Sequence, residues 1–264
     1  MANEQTILIT GADGTIGSML RQALRRPGRH LRLLDLMTQA ELDGDEDAEL
    51  IVGSFLDPDL MREACANVDV VIHLGGLATS GYTWNEYLDV NIDGTYVVLE
   101  AARQARVPRV IYASSNHAVG YYSLSEVSPV PDNLPARPDS LYGISKAASE
   151  SLCSYFHDRY GLDAICLRIG TFRDRPPDRR SLWSWLSPGD CARLFEAAIA
   201  APSPGFRLVW GVSANTSAAV SLAEARALGY EPVDDAQDYV AELDAADDSA
   251  TFDLIGGSYT LTLD

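Results

Sequence analysis

Tyr142 and Lys146 stand four residues apart in Tyr-Gly-Ile-Ser-Lys, and Lys146 is the only lysine among the chain's 20 basic residues. Four residues is about one helical turn, so the phenol and the ammonium share a face. An ammonium beside a phenol favours the phenolate and brings a pKa of about 10 toward the working range of a general base. The same compact cation, with three rotatable donors, suits ribose hydroxyls better than a planar guanidinium does. A chain that otherwise uses arginine keeps lysine here, which marks Lys146 as required. A third group, Ser115, comes from Ser-Ser-Asn-His at the end of a predicted strand 108–114. Parallel α/β sheets bind ligands at the carboxyl ends of their strands. Ser115 is therefore expected to hold a reacting oxygen beside Tyr142, while Ser114 packs inward.

A second motif, Gly11-Ala-Asp-Gly14-Thr15-Ile16-Gly17, follows a predicted strand and opens a predicted helix. Glycines at this spacing let backbone approach a pyrophosphate and leave the helix N-terminus facing the anion. The next strand ends in Asp35, placed to accept from ribose hydroxyls and to repel a 2′-phosphate. Its neighbours Leu36 and Met37 carry no positive charge, so the expected cofactor is NAD rather than NADP. Asp57, after the third strand, is placed either to meet the adenine amino group or to cap the helix that follows it.

The elements that position these groups are legible as alternating apolar runs and helical patterns. Strands are expected at 5–10, 30–35, 49–53, 69–74, 108–114 and 163–169, with helices near 15–26, 58–66, 84–105 and 141–160. Continuous apolar strands separated by helices predict an α/β fold, a Rossmann-type doubly wound parallel sheet. Later elements are a helix near 189–201, a strand near 206–210, helices near 219–228 and 235–246, and an alternating tail at 250–264. Residues 1–170 are thus expected to form the NAD-binding, catalytic part. Residues 171–264 are expected to form a small substrate-side lobe that does not stand alone.

The net charge of −18 argues against nucleic acid or an anionic membrane as partner. No apolar run approaches the roughly 18 residues of a membrane span. The first strand begins almost at once, so no signal peptide is expected. Cys65, Cys153, Cys166 and Cys191 are scattered without metal-binding spacing, which predicts reduced core thiols, no metal and a cytoplasmic protein.

Taken as a set, the glycine loop, Asp35, His73-Leu-Gly-Gly76, Asn91-x-x-Gly94-Thr95, the Ser-Ser pair and Tyr142-x-x-x-Lys146 resemble the extended short-chain dehydrogenase/reductase family over residues 5–170. The resemblance implies NAD chemistry on Ser115, Tyr142 and Lys146. It implies cofactor contacts from Gly11, Gly14, Thr15, Ile16, Gly17, Asp35, Asp57, Leu74, Gly75, Asn91, Tyr142 and Lys146. Asn91 reads equally as a residue that braces a helix. The chain departs from the family in His-Leu-Gly-Gly, where many members have His-Leu-Ala-Ala.

Members that act on nucleotide sugars carry a longer C-terminal half, whereas 118 residues follow Lys146 here, which points to a small substrate. The stretch 168–187 carries five arginines, a grouping suited to holding an anion bidentately, although pairing with the surplus acids accounts for most of them. Ser-Ser-Asn-His, Arg-Ile-Gly-Thr, Asp-Arg-Arg-x-x-x-x-Trp-Leu-Ser and Gly-x-Ser-Ala-Asn-Thr resemble the members that oxidise a free cyclic uronate at C1. That likeness implies a small-molecule uronate (glucuronate or galacturonate) as substrate, an aldarolactone and NADH as products, and a homo-oligomer. It places Ser115, Asn116, His117, Tyr142 and Thr171 on the sugar and Arg180 on its carboxylate. Ala78 stands where a serine can contribute, with Thr79 or Ser80 as replacements. The rival readings are an NAD-retaining nucleotide-sugar epimerase or dehydratase, and a non-catalytic NAD-binding sensor.

Overall fold

The computed structural model describes residues 5–36, 42, 46–244, 247 and 253–261. Met37 and parts of the expected 235–246 helix and 250–264 tail lie outside the described residues. Seven parallel strands form one sheet in the order β3-β2-β1-β4-β5-β6-β9. In chain order these are β1 (Gln5–Thr10), β2 (Arg29–Asp35), β3 (Ala48–Val52), β4 (Val70–His73), β5 (Arg109–Ser115), β6 (Asp163–Ile169) and β9 (Phe206–Gly211). The order reverses at β1 and β4, which is where a doubly wound sheet opens a crevice. The six strands expected in 5–169 are found within one residue of their expected ends.

Alternation along each strand divides the core. Ile7 and Ile9 of β1 face the layer built by α1 (Thr15–Ala23) and α7 (Pro188–Ala200). Leu8 faces the opposite layer, built by α2 (Pro58–Ala64), α4 (Gly94–Ala105) and α5 (Leu141–Tyr160). All four cysteines are buried and unpaired. No helix among the described residues is long and apolar enough to cross a membrane.

The expected helix 84–105 is not one regular α-helix. A short α3 (Trp84–Glu86) passes through π-helical turns at Tyr87–Asp93 before α4 begins. An inserted residue of this kind shifts the helical phase, and such insertions gather at functional sites. Here it carries Asn91, which is buried.

Beyond 170, β7 (Thr171–Phe172) pairs with β8 (Trp185–Leu186), flanking α6 (Ser181–Ser184). The helix expected at 219–228 shortens to α8 (Ala223–Ala227), because Val220 is taken into a bridge with Val130 and Gly229 adopts φ +94°. The helix expected at 235–246 is a 3-10 segment, Ala236–Glu242, capped by Asp235. The described part of the tail is held by a bridge between Leu254 and Ser123 and contains 3-10 turns at Gly257–Leu261. Because β9 completes the main sheet and α7 covers its face, we propose that residues 171–264 fold together with 1–170, supplying the substrate side of one unit.

Candidate active site

A cavity of about 940 Å³ opens at the carboxyl ends of β1, β4, β5 and β6. Every cofactor and substrate residue expected from the sequence lines it except Asp57 and Asn91.

Its first wall is the glycine loop. Gly11 takes φ +71°, and a Cβ there would stand 2.8 Å from the Gly75 nitrogen; one on Gly17 would stand 2.6 Å from the Ala12 carbonyl oxygen. Both positions need glycine so that loop, helix and the β4 end can meet. Gly14 caps α1 without a side-chain bond, and the first turn holds no acidic residue. The N-terminal N–H groups of α1 are thus left for an external anion, and the cradle fits a dinucleotide pyrophosphate. Asp35 closes the loop: its Oδ2 accepts from Asp13 N at 2.9 Å and its Oδ1 from Leu36 N at 2.8 Å.

Asp57 has a different post. Its Oδ1 accepts from Asp59 N at 2.9 Å and Leu60 N at 3.2 Å, capping α2, and it is absent from the cavity wall. Of its two sequence readings, the structure displays the cap. Its neighbour Phe55, not expected in the site, is on the wall. A Cβ on Gly75 would lie 2.6 Å from the Phe55 ring and one on Gly94 2.5 Å from it, so these glycines make room for that ring. Asn91 braces the site from behind. Its Oδ1 accepts from Leu77 N at 2.7 Å, while its Nδ2 donates to Leu77 O at 3.1 Å and to Ser145 Oγ at 2.9 Å. It thereby ties the segment after β4 to α5.

Ser115 ends β5, and Tyr142 and Lys146 lie on the first turns of α5, started by the Ser140 cap on Gly143 N at 3.0 Å. The Ser115 hydroxyl is a neighbour of the Tyr142 phenol and favours its ionised form. Lys146 Nζ donates to the Ala113 carbonyl at 2.8 Å and lies 5.6 Å from the centroid of the Tyr142 ring. Ser114 points inward as expected, donating to Glu150 Oε1 at 2.6 Å, and Glu150 is paired bidentately with buried Arg168 at 2.9 and 2.8 Å.

The electrostatics differ from expectation. Burial pushes the Tyr142 phenol up; the Ser115 hydroxyl pulls it down, while Tyr259, Tyr87 and Asp139 raise it further. The Lys146 ammonium is anchored on the Ala113 carbonyl, so its position beside the phenol is fixed. Burial in turn depresses Lys146 to about 8, against an opposing pull from Glu150. His73, fully enclosed between Thr10 Oγ1 at 2.7 Å and Thr95 Oγ1 at 3.3 Å, falls to about 3 through desolvation and the charge of Lys146. It is a core residue that stays neutral.

Asn116 Nδ2 donates to the Ile255 carbonyl at 3.2 Å, and Arg180 Nη2 donates to the same oxygen. Arg180 also lies over Trp183, 5.2 Å from the ring centroid, and desolvation lowers its guanidinium below the usual value. The Thr171 hydroxyl pairs with Ser184 Oγ at 2.9 Å. His117 Nδ1 meets Asp139 Oδ2 at 2.7 Å, and its ring stacks on Tyr259 with centroids 4.0 Å apart. Ala78 lines the cavity, but Thr79 and Ser80, its expected replacements, do not. Arg173 shares the wall; exposed Arg175 is instead paired with Glu242 at 2.7 Å.

The tail residues Gly256, Ser258 and Tyr259 also line the cavity, and the sequence reading missed them. The signal available was the Gly256-Gly257 pair. Gly257 has φ +58°, and a Cβ there would lie 2.6 Å from Arg180 Nε, so the tail must cross the guanidinium closely. Among the described residues no cluster of His, Cys, Asp and Glu could hold a metal ion.

The family model described as the NAD dependent epimerase/dehydratase family matches residues 7–173. Uronate dehydrogenase from Pseudomonas syringae pv. tomato is 37% identical over 257 residues, covering 96% of this chain and 92% of that one. An NAD-dependent glucose-6-phosphate dehydrogenase from Haloferax volcanii is 34% identical, covering 93% of this chain and all of its own. A mutant uronate dehydrogenase from Agrobacterium tumefaciens, solved in complex with NAD, superposes with TM-score 0.89 at 31% identity over 98% of both chains. The sheet order, the glycine cradle, and serine, tyrosine and lysine at one crevice agree with that match, and the chain belongs to the NAD dependent epimerase/dehydratase family, the extended short-chain dehydrogenase/reductases.

Proposed function

We propose that this protein oxidises a free cyclic uronate, glucuronate or galacturonate, at C1 with NAD, giving the aldarolactone and NADH. The observation that carries the reading is that desolvated Arg180 lines the same cavity as Asn116, His117, Thr171, Ser115 and Tyr142. A guanidinium out of water is a strong partner for a carboxylate, and the neutral side chains beside it suit ring hydroxyls. Likeness to uronate dehydrogenases along the full chain supports the same assignment.

Bound NAD supplies the hydride acceptor. Gly11, Gly14, Thr15, Ile16 and Gly17 would hold its pyrophosphate, Asp35 the adenosine ribose, and Leu74 and Gly75 the wall beneath. Tyr142, as phenolate, takes the proton of the anomeric hydroxyl, and Ser115 beside it holds the oxygen that releases it. Lys146 would hold the other ribose from its anchor on Ala113. The C1 hydrogen leaves as hydride and the hydroxyl proton leaves to Tyr142, so the sugar loses two electrons and two protons in becoming the lactone.

A second reading takes the Arg180 wall as a phosphate seat, in line with the glucose-6-phosphate dehydrogenase relative. Following NADH absorbance with galacturonate, glucuronate, galactose, glucose 6-phosphate and nucleotide sugars separates these readings. Stoichiometric NADH with the free uronates is expected. Conversion of a nucleotide sugar without net NADH would instead place the protein with the NAD-retaining epimerases, and inertness toward the whole panel would favour a sensor. We further propose, on family resemblance, a cytoplasmic homo-oligomer, which light scattering of the purified protein checks for self-association.

A further inference from the structure

We propose that Asp139 is a positioning residue that fixes the proton of His117 on Nδ1, so that Nε2 serves as the hydrogen-bond acceptor for one ring hydroxyl of the sugar. The inference rests on reading the cavity as a sugar site. Asp139 is fully enclosed, with a side-chain exposure of 0%. Its Oδ2 meets His117 Nδ1 at 2.7 Å, and its Oδ1 accepts from Ser140 Oγ at 2.8 Å. Three separate segments clear space for this one carboxylate: a Cβ on Gly120 or on Gly256 would overlap it, and one on Gly143 would stand 3.1 Å from Oδ1. A buried acid that three glycines accommodate is a built feature of the site, since an unpaired charge there would be costly.

A carboxylate only accepts hydrogen bonds, so the shared proton belongs to the imidazole at Nδ1, and Nε2 keeps its lone pair. Among the described residues Nε2 has no hydrogen-bond partner. The ring cannot swing away to find one: it stacks on Tyr259 at 28° and meets Tyr142 edge-on, 5.8 Å between centroids. His117 lines the cavity beside Ser115 and Asn116. An acceptor held rigidly beside the reacting oxygen accepts from a hydroxyl and gains nothing from a position that lacks one.

The test uses ¹⁵N-histidine-labelled protein together with steady-state kinetics. Wild type should show His117, assigned by its loss in His117→Ala, as the Nδ1–H tautomer. Asp139→Asn, which can offer its amide N–H to Nδ1, should move that proton to Nε2. In the variant kcat/KM for the uronate should fall on the order of 10²-fold, the upper range for losing a supporting partner, while the Kd for NAD stays unchanged. Monodeoxy uronates give the second readout: one of them should be a poor substrate for wild type, and Asp139→Asn should erase that discrimination. An Nε2–H tautomer in wild type overturns the proposal, even if Asp139→Asn does not fold. Equal losses on every sugar in a folded variant also overturn it and leave Asp139 merely structural. Because the tautomer is read without substrate, failure of the uronate assignment and failure of this inference are distinguishable.

Discussion

Lys146 is both the only lysine of the chain and one of its most deeply buried charged groups, 5% exposed, and this makes its ionisation directly measurable. Desolvation depresses it from 10.5 to about 8, with Glu150 opposing, which corresponds to about 3 kcal/mol disfavouring the buried ammonium. Below about 8 the amine is charged in both folded and unfolded chains, so the full cost is present. Between about 8 and 10.5 the folded protein releases the proton while the unfolded chain keeps it, and the cost fades as pH rises. Protein labelled with ¹³C at lysine Cε gives a single lysine resonance, and its chemical shift followed from about pH 6 to about pH 11 should turn near 8. Urea unfolding of wild type and Lys146→Met supplies the energetic half. The methionine variant should be the more stable near pH 7 and should lose most of that advantage near pH 10. Losing the bond to the Ala113 carbonyl offsets part of the gain at both pH values, so the difference between them isolates the ionisation. A resonance that turns near 10.5, with a stability gap independent of pH, would refute the reasoning.

Lys146→Arg keeps the charge but loses the compact donor to Ala113, and turnover should fall by roughly 10²-fold, the scale of acid–base support; near-normal NADH formation would make the lysine incidental. Asp35→Ala removes the acceptor of both Asp13 N and Leu36 N, so the Kd for NAD should rise and the preference over NADP narrow, as read by fluorescence titration with each cofactor. Arg180→Ala removes a charge-assisted bond of about 1.5–3 kcal/mol, and kcat/KM for galacturonate should drop roughly 10- to 150-fold while the weak rate with galactose changes little; equal losses on both sugars would make Arg180 structural.

What the sequence made legible was local. Strand alternation and apolar runs repeat within a few residues, which is why six strand positions and the α5 face carrying Tyr142 and Lys146 could be read directly. The glycine loop was legible for the same reason, since its geometry and its chemistry lie in one heptapeptide. The π-helical turns at Tyr87–Asp93 were hidden because 84–105 scans as a helix, and only tertiary bracing by Asn91 onto Leu77 and Ser145 selects the inserted residue. The pocket wall was hidden by distance along the chain. Asn116 meets Ile255 across 139 positions and Arg180 meets it across 75, while His117 finds Asp139 across 22.

The charge state of the site is where residue type alone misleads. A tyrosine and a lysine one turn apart suggest an ion pair that stabilises phenolate, and that holds when Coulomb attraction exceeds the cost of leaving water. Here burial is the first cause acting on both groups, and it drives them toward neutrality from opposite sides, the phenol upward and the amine downward. The protein by itself therefore holds a protonated phenol, beside Ser115, near an amine that burial depresses to about 8. Proton removal from the sugar then needs a favourable change in the Tyr142 surroundings as the cavity fills, and Ser115 is a neighbour already arranged to supply part of it. Ser115→Ala removes a group that lowers the phenol, so the loss of Ser115 should act on the tyrosine as well as on the oxygen it is expected to hold.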